Sequence, residues 1–469
     1  MARNQHAVLW TRISGKPEKM GDLVLSEARE SFTYSDLLLS EARASFTYVD
    51  AYLNSGQPGF CLLGDGGIWG QDTVWYPISE RIPVFPRLLS LIPGQGPRNL
   101  QRRQYLDMLR TQQGREPAPG LETEWRLLVM GGHGGIGHVD IFSDDITAYT
   151  WYQARDRFSE HGITLQGAGA RSELWHMLKH EVLDENIDFD PRIIEGVLGP
   201  TPSVGGMIPK LLVSLDTEND NPLFFPPETP GHRNVVLKIE PPEYAGLLDL
   251  EALCLDIHRE AGFEVPEYHR YDDGALHFIA VERFDRIGGK PIPLESLFSI
   301  IATGDHHFRE TGDLMLEELG GIISRLGDIA GVADDTQEQL YRRLLMALLT
   351  GNGDLHLDNL SIMGELSQCR LAPIYDPSPM RAWPRHNLVS AIPFDAPEYS
   401  DHGALFIHLG ATFGLSPAQI RRCIEESLAV TADFPEQVLA LGRVPEHQRT
   451  QLVDIARQER GALIRAVQF

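Results

Sequence analysis

The sequence predicts an α+β fold of two lobes, the first small and β-rich and the second large and all-helical, with an extra β-rich domain ahead of both. Three observations carry this expectation. Between about 195 and 285, short apolar strands punctuated by turns surround a single helix. From about 295 onwards, apolar residues recur at helical spacing almost to the end. The first 145 or so residues mix strand-length apolar runs with frequent Gly and Pro. A chain of 469 residues exceeds the size at which one hydrophobic core stops growing, so domains are expected over 1–145, 146–295 and 296–469.

Bulk properties narrow the function classes. The chain is 42% hydrophobic and 23% charged, as an ordinary globular protein is. Its 41 Lys and Arg against 66 Asp and Glu give a formal net charge of -25. That charge opposes long contact with a nucleic-acid backbone or an anionic membrane surface. The four cysteines, Cys61, Cys254, Cys369 and Cys423, lie far apart with no CxxC pair, so neither a zinc knuckle nor a disulfide framework is expected. MARNQHAVLW reads as no export signal, and no stretch reaches the roughly 18 apolar residues of a membrane span. A cytoplasmic location without membrane contact is therefore expected.

The N-terminal third contains a tandem duplication. LVLSEARESFTYSD at 23–36 recurs as LLLSEARASFTYVD at 37–50, with 11 of 14 positions identical. Two short copies do not make a solenoid, and the duplication is expected to be absorbed as an extra strand or a looped-out segment. WRLLVM at 125–130 is of strand length and reads as a strand. GHGGIG at 132–137 fits GxGxxG, yet HVDIF after it alternates like a strand, where a dinucleotide site needs a helix N-terminus. It reads as a glycine-rich hairpin turn.

In the central region SVGGMIPKLLVSLD at 203–216 is a glycine turn entering a strand, NVVLKIE at 234–240 a second strand and FIAVERFD at 278–285 a third. The segment 244–266 between them has helical spacing and stops at Gly262 and Pro266. Further helices are expected over 336–350, 418–432 and 448–468.

The segment TGNGDLHLDNLSIM at 350–363, followed by LAPIYDP at 371–377, carries the chemistry. Asp354 and Asn359 reproduce the D-x-x-x-x-N spacing of a kinase catalytic loop, in which the aspartate takes the proton of the attacking hydroxyl and the asparagine ligates magnesium. Asp376 supplies a second carboxylate, which in such a site would hold the metal. Phosphoryl transfer needs little covalent help and much charge compensation, so these three groups suffice in kind. Lys238, within VVLKIE, is suited to phosphates or to an exposed strand edge, and Glu251, on the next helix, to pairing with it or to solvent. Gly205 and Gly206 allow backbone approach to phosphate with Lys210 beside them, although no Walker A pattern is present.

In order, SVGGMIPK, the VLKIE strand, the helix ending in AGFEVPE, VERFDR at 281–286, GNGDLHLDN and LAPIYDP resemble the HipA family, the serine/threonine kinase toxins of bacterial type II toxin-antitoxin pairs. FTYVDAYL at 46–53 and LLSLIPGQGPR at 88–98 resemble that family's N-terminal domain. The resemblance implies a bilobal protein-kinase-like (HipA-like) fold that uses ATP and Mg2+, with Asp354 as catalytic base and Asn359 and Asp376 as metal ligands. It implies nucleotide contacts from Gly205, Gly206, Met207, Ile208, Pro209, Lys210, Lys238, Glu282, Arg283, Phe284, His356, Asn359, Tyr375 and Asp376, and autophosphorylation at Ser203. It further implies a HipB-like helix-turn-helix antitoxin through which alone DNA is met, and a protein substrate of the kind of a translation factor such as an aminoacyl-tRNA ligase.

The chain departs from protein kinases at Gly353, where they carry arginine before the aspartate. Asp358 beside Asn359 faces either metal or solvent, and solvent is the reading taken here. A small-molecule or lipid kinase would keep the same machinery, and a pseudokinase serving as a corepressor module would keep the fold. Intact Lys238, Asp354, Asn359 and Asp376 favour the enzyme.

Overall fold

Alternating burial builds the first sheet. A computed structural model describes residues 4–26, 42–62, 73–95, 99–161, 208–215, 224–225, 227–229, 231–273, 276–365 and 367–468. In it, strands β1 (Gln5–Thr11), β2 (Glu18–Ser26), β3 (Arg43–Tyr48), β4 (Thr73–Pro77) and β5 (Asp140–Phe142) form one sheet in the order β4-β3-β2-β1-β5. Leu23 and Leu25 of β2 and Ala44, Phe46 and Tyr48 of β3 point into its core, each two residues from the next.

The register explains the duplication. Ser26, in the first copy, pairs with Arg43, in the second, and Leu23 pairs with Phe46. Sixteen residues, 27–42, separate those ends; taking out one fourteen-residue copy leaves two, the commonest hairpin loop. Residues 27–41, where the extra strand or looped-out segment was expected, lie outside the described residues. The copies differ at three positions, and one of them discriminates: Glu30 in the first corresponds to Ala44 in the second. Ala44 is 0% exposed. A carboxylate there would be stripped of water without a partner, so the second copy is the one chemically fit to be β3.

The segment WRLLVM is not a strand. It lies in the helix Leu121–Gly131, which buries Glu124, Trp125, Leu127, Leu128 and Gly131 at helical spacing, and Glu124 holds Arg102 of the helix Leu100–Gln113. The glycine-rich stretch after it is therefore a helix-to-strand loop and not a hairpin turn, with Gly134 and Gly137 at positive φ.

The same unit holds a second antiparallel sheet. Strands β6 (Lys210–Leu215), β7 (Phe224–Phe225), β8 (Arg233–Ile239), β9 (Tyr268–Asp273) and β10 (Leu276–Glu282) run in the order β7-β6-β8-β10-β9. The three central strands are those expected from sequence. Gln101 ties the first sheet's helix to this sheet by donating to the Lys210 carbonyl at 2.7 Å. By chain contacts this unit comprises Met1–Pro242, Tyr268–Glu295 and Ser299–His307.

The other unit, Glu243–Glu267, Ser296–Phe298 and Phe308–Phe469, is largely helical. Its centre is the helix Thr336–Thr350, of whose fifteen residues eleven are buried. The helices His402–Thr412, Pro417–Val430 and Glu446–Gln468 pack against it, and Tyr341 donates to the Phe406 carbonyl at 3.0 Å. Ser416 and Gln419 form a capping box at the start of Pro417–Val430. The terminal helix crosses His402–Thr412 at Gly403, where a Cβ would lie 2.4 Å from the Ala462 carbonyl oxygen. Among the described residues no helix is long and apolar enough to cross a membrane.

Deleting 27–40 joins Ser26 to Arg43 through Glu41 and Ala42, and should leave the melting temperature essentially unchanged. Ala44→Glu, which places the other copy's residue in the core, should destabilise by about 3 kcal/mol or more in denaturant titration.

Candidate active site

A helix end delivers the candidate catalytic loop. Thr336–Thr350 stops at Gly351, whose φ of 75° closes the last turn, and the Asn352 amide returns to the Ala347 carbonyl at 2.8 Å. The Asn352 side chain accepts from the Asp354 amide at 3.1 Å, and the His356 amide bonds the Asp354 carbonyl at 2.8 Å. His356 then caps the short turn Leu357–Asn359, its Nδ1 accepting from the Asp358 amide at 3.2 Å. Asn359 closes the loop: its Nδ2 donates to the Asp354 carbonyl at 3.0 Å. The five-residue spacing read in the sequence is thus a hydrogen-bonded ring. Gly353 leaves no room for a side chain, since a Cβ would lie 2.0 Å from the Leu388 carbonyl oxygen.

Beneath the loop lies Tyr375. Its hydroxyl donates to the Asp358 carbonyl at 2.8 Å and meets the Ser361 hydroxyl at 2.7 Å, and burial holds the phenol well above its ordinary pKa. Asp358 points away from Asn359 to accept from Ser296 at 2.9 Å. Asp376 follows with φ of 54°, a left-handed conformation that a non-glycine residue adopts at a cost of about 1–3 kcal/mol and that clusters at functional sites. Glu251, fully buried, accepts from Ser378 Oγ at 3.1 Å.

The oxygen donors fit magnesium. Once Nδ2 of Asn359 is committed to Asp354, its Oδ1 is the atom left for a hard cation, and Asp376, seventeen residues on, is a second oxygen-donor side chain of the kind magnesium takes. Among the described residues no group of three or more His, Cys, Asp or Glu side chains forms a metal cage.

In the sheet-bearing unit, Lys210 and Lys238 are directly opposite each other in β6 and β8, so both project to one face of the sheet. They are 6% and 4% exposed. Pro209 holds the start of β6 by accepting from the Ile239 amide at 3.0 Å, with Ile208 before it. Ser203, Gly205, Gly206 and Met207 lie outside the described residues. At the end of β10, Glu282 accepts from His269 at 3.2 Å and the Arg283 amide bonds the Asn234 carbonyl at 2.8 Å, with Phe284 next in the chain.

Sequence reasoning missed what holds that strand end. Arg283 donates to the Gly135 carbonyl at 2.7 Å and to Asp285 at 2.9 and 2.8 Å; Arg286 donates to the carbonyls of Gly135 and Gly137, each at 2.8 Å. The Gly137 amide bonds Asp285 at 2.8 Å. Although burial works the other way, the two guanidiniums hold the Asp285 carboxyl far below its ordinary pKa. The GxGxxG stretch therefore spends its backbone on two buried arginines. Its signal in the sequence was the pair of arginines in VERFDR.

Comparison with known proteins agrees with this architecture. Residues 202–434 match the HipA-like C-terminal domain. That segment is a HipA-like C-terminal domain. A putative kinase of Haemophilus influenzae is 27% identical over 276 residues, 52% of this chain and 76% of its own. A second putative kinase, from Sinorhizobium fredii, is 27% identical over 188 residues, and the chain spans 44% of that relative's length. The Shewanella oneidensis HipA, solved with HipB and operator DNA, superposes with a TM-score of 0.60 at 16% identity over 98% of this chain and 99% of that one. At such identity the likeness establishes the fold, which is α+β and kinase-like. The HipA-like domain contains every candidate residue from Ser203 to Asp376.

His258, lining a small cavity with Asn352, Asn359 and Tyr375, gives a pH test. Burial, aided by Arg343 and opposed by a bond to the Cys254 carbonyl, pushes its pKa from 6.5 down to about 4. Between those values the unfolded chain binds a proton that the folded one refuses, so this contribution to stability is complete above pH 6.5 and is lost as pH falls to about 4. Thermal melts should show that slope, and His258→Leu should flatten it.

Proposed function

We propose that the chain is an ATP- and Mg2+-dependent serine/threonine protein kinase of the HipA toxin kind, restrained by a HipB-like helix-turn-helix antitoxin and by autophosphorylation at Ser203. The observation that carries this reading is the ring closed by Asn359 on Asp354, followed by Asp376 in a strained backbone conformation. A ring of this kind fixes a carboxylate against an incoming hydroxyl.

In this reading Asp354 accepts the proton of the acceptor hydroxyl as its oxygen bonds to the γ-phosphorus and the bond to ADP breaks. Asn359 and Asp376 hold the metal, which supplies neutralisation of the β- and γ-phosphates when bound. Lys210 and Lys238 bind phosphate, and the backbone of Glu282, Arg283 and Phe284 orients the adenine edge. Tyr375 and His356 brace the loop against displacement. The acidic chain leaves operator contacts to the antitoxin, and a HipA relative has been solved together with HipB and operator DNA. A phosphoserine at 203 brings roughly −2 charge to the nucleotide's phosphates and turns the enzyme off. A translation factor such as an aminoacyl-tRNA ligase is the substrate class this reading carries.

Incubation with Mg-ATP, alone and with bacterial lysate, followed by phosphosite mapping, tests it. Phosphate on Ser203 or on a lysate protein is expected, and Asp354→Ala should lower the rate by about 10²- to 10⁴-fold while leaving ATP binding largely intact. Asp376→Ala should also weaken Mg-dependent nucleotide binding. A full rate in Asp354→Ala would overturn the roles; labelling of a low-mass acceptor would point to a small-molecule kinase, and binding without turnover to a pseudokinase.

A further inference from the structure

Protein kinases commonly order their active site through an arginine beside the catalytic aspartate that captures a phosphate on the activation segment. Here Gly353 occupies that arginine's position. An arginine nevertheless reaches the loop, from the segment five residues beyond Asp376. The Arg381 amide bonds the Gly351 carbonyl at 3.1 Å, and Arg381 Cγ lies 3.1 Å from where a Gly353 Cβ would stand. Its guanidinium has two fixed partners: Nε donates to Asn387 Oδ1 at 3.0 Å, and a terminal nitrogen donates to Glu459 Oε1 at 2.9 Å. Gln451 of the terminal helix donates to the Arg381 carbonyl at 2.8 Å.

The acceptor is built for one task. Glu459 sits on Glu446–Gln468, its side chain is 1% exposed, and its second oxygen meets His402 Nδ1 at 2.6 Å. The Arg381 side chain is 7% exposed. Two ions stripped of water gain little net stability over an apolar pair of similar volume, so stability alone is a weak reason to keep them. Their position offers a better one: Gly351, Asn352 and Gly353 run from the helix to Asp354 along the Arg381 side chain, and glycines cannot hold a loop themselves.

We infer that Arg381 and Glu459 are positioning residues that lock the Asp354 loop through a permanent ion pair to the terminal helix, where other kinases use an activation-segment phosphate. The lock rests on the proposed kinase reading for its purpose, though not for its geometry. Glu459 also lies beyond residues 202–434, so the HipA-like domain takes this support from outside its own span.

The test uses the full chain with Glu459→Gln, Arg381→Gln and the apolar pair Arg381→Met with Glu459→Met. Backbone hydrogen exchange of 351–359 and of the helix Thr336–Thr350 is read by mass spectrometry, beside melting temperature, kcat and KM for ATP. Both single variants should exchange 351–359 at least tenfold faster with the helix unchanged, and lower kcat at least tenfold with KM for ATP kept within twofold. The apolar pair should recover melting temperature but neither loop protection nor kcat. Recovery of kcat together with melting temperature would reduce the pair to a structural role, and unchanged loop exchange in the single variants would overturn the lock. Should the wild type transfer no phosphate, the kinase reading fails by itself, and loop exchange alone decides the lock.

Discussion

The hydrogen bond from the Asn359 amide to the Asp354 carbonyl is the constraint on which the candidate site depends. A carboxylate acts as base only where its position is fixed before the acceptor arrives, and residues 351–353 are too rich in glycine to fix it. Closing the chain on itself over five residues removes that freedom with one side chain, and the same bond leaves the amide oxygen of Asn359 for the metal of the proposed function. Everything around the ring serves it. The cap at Gly351 sets its entry, Asn352 and His356 hold its amides, and the Tyr375 hydroxyl supports its exit strand from below.

A comparable economy governs the sheet-bearing unit. Buried guanidiniums demand acceptors, and the carbonyls of Gly135 and Gly137 provide them because glycine lets the backbone turn outward and approach closely. Gly137 has a further reason: a Cβ there would stand 2.3 Å from an Arg87 nitrogen. The loop thus joins the first sheet to the end of β10, next to Glu282 and Phe284. The domain ahead of the HipA-like segment is therefore a structural support of that strand end and not a loose appendage.

What was legible in the sequence is what is local. The D-x-x-x-x-N spacing, the strand lysine, and the helices Thr336–Thr350 and Leu247–Glu260 depend on residues within a few turns of each other. WRLLVM misled because a six-residue run with five apolar residues fits a buried strand or a helix face equally; the deciding term was the burial of Glu124 against Arg102, which adds a turn to the pattern from outside it. The glycine-rich loop was wrongly read as a hairpin, since its partners lie about 150 residues downstream. Arg381 and Glu459 carry no sequence signal at all. Their meaning is a distance, and only the folded chain supplies it.

Net charge and local charge answer different questions in this molecule. A formal charge of -25 opposes extended contact with a nucleic-acid backbone, an effect of the summed charge that salt weakens. Phosphate recognition is decided within a few ångströms, where the sum is irrelevant. Lys210 and Lys238, opposite one another on neighbouring strands and nearly sealed from water, concentrate positive charge where the effective dielectric is lowest. Both ammonium groups interact within the folded chain, as the cost of burying them requires. In the proposed function, the taking of ATP by this chain and of DNA by an antitoxin would turn on where the lysines are placed more than on how many there are.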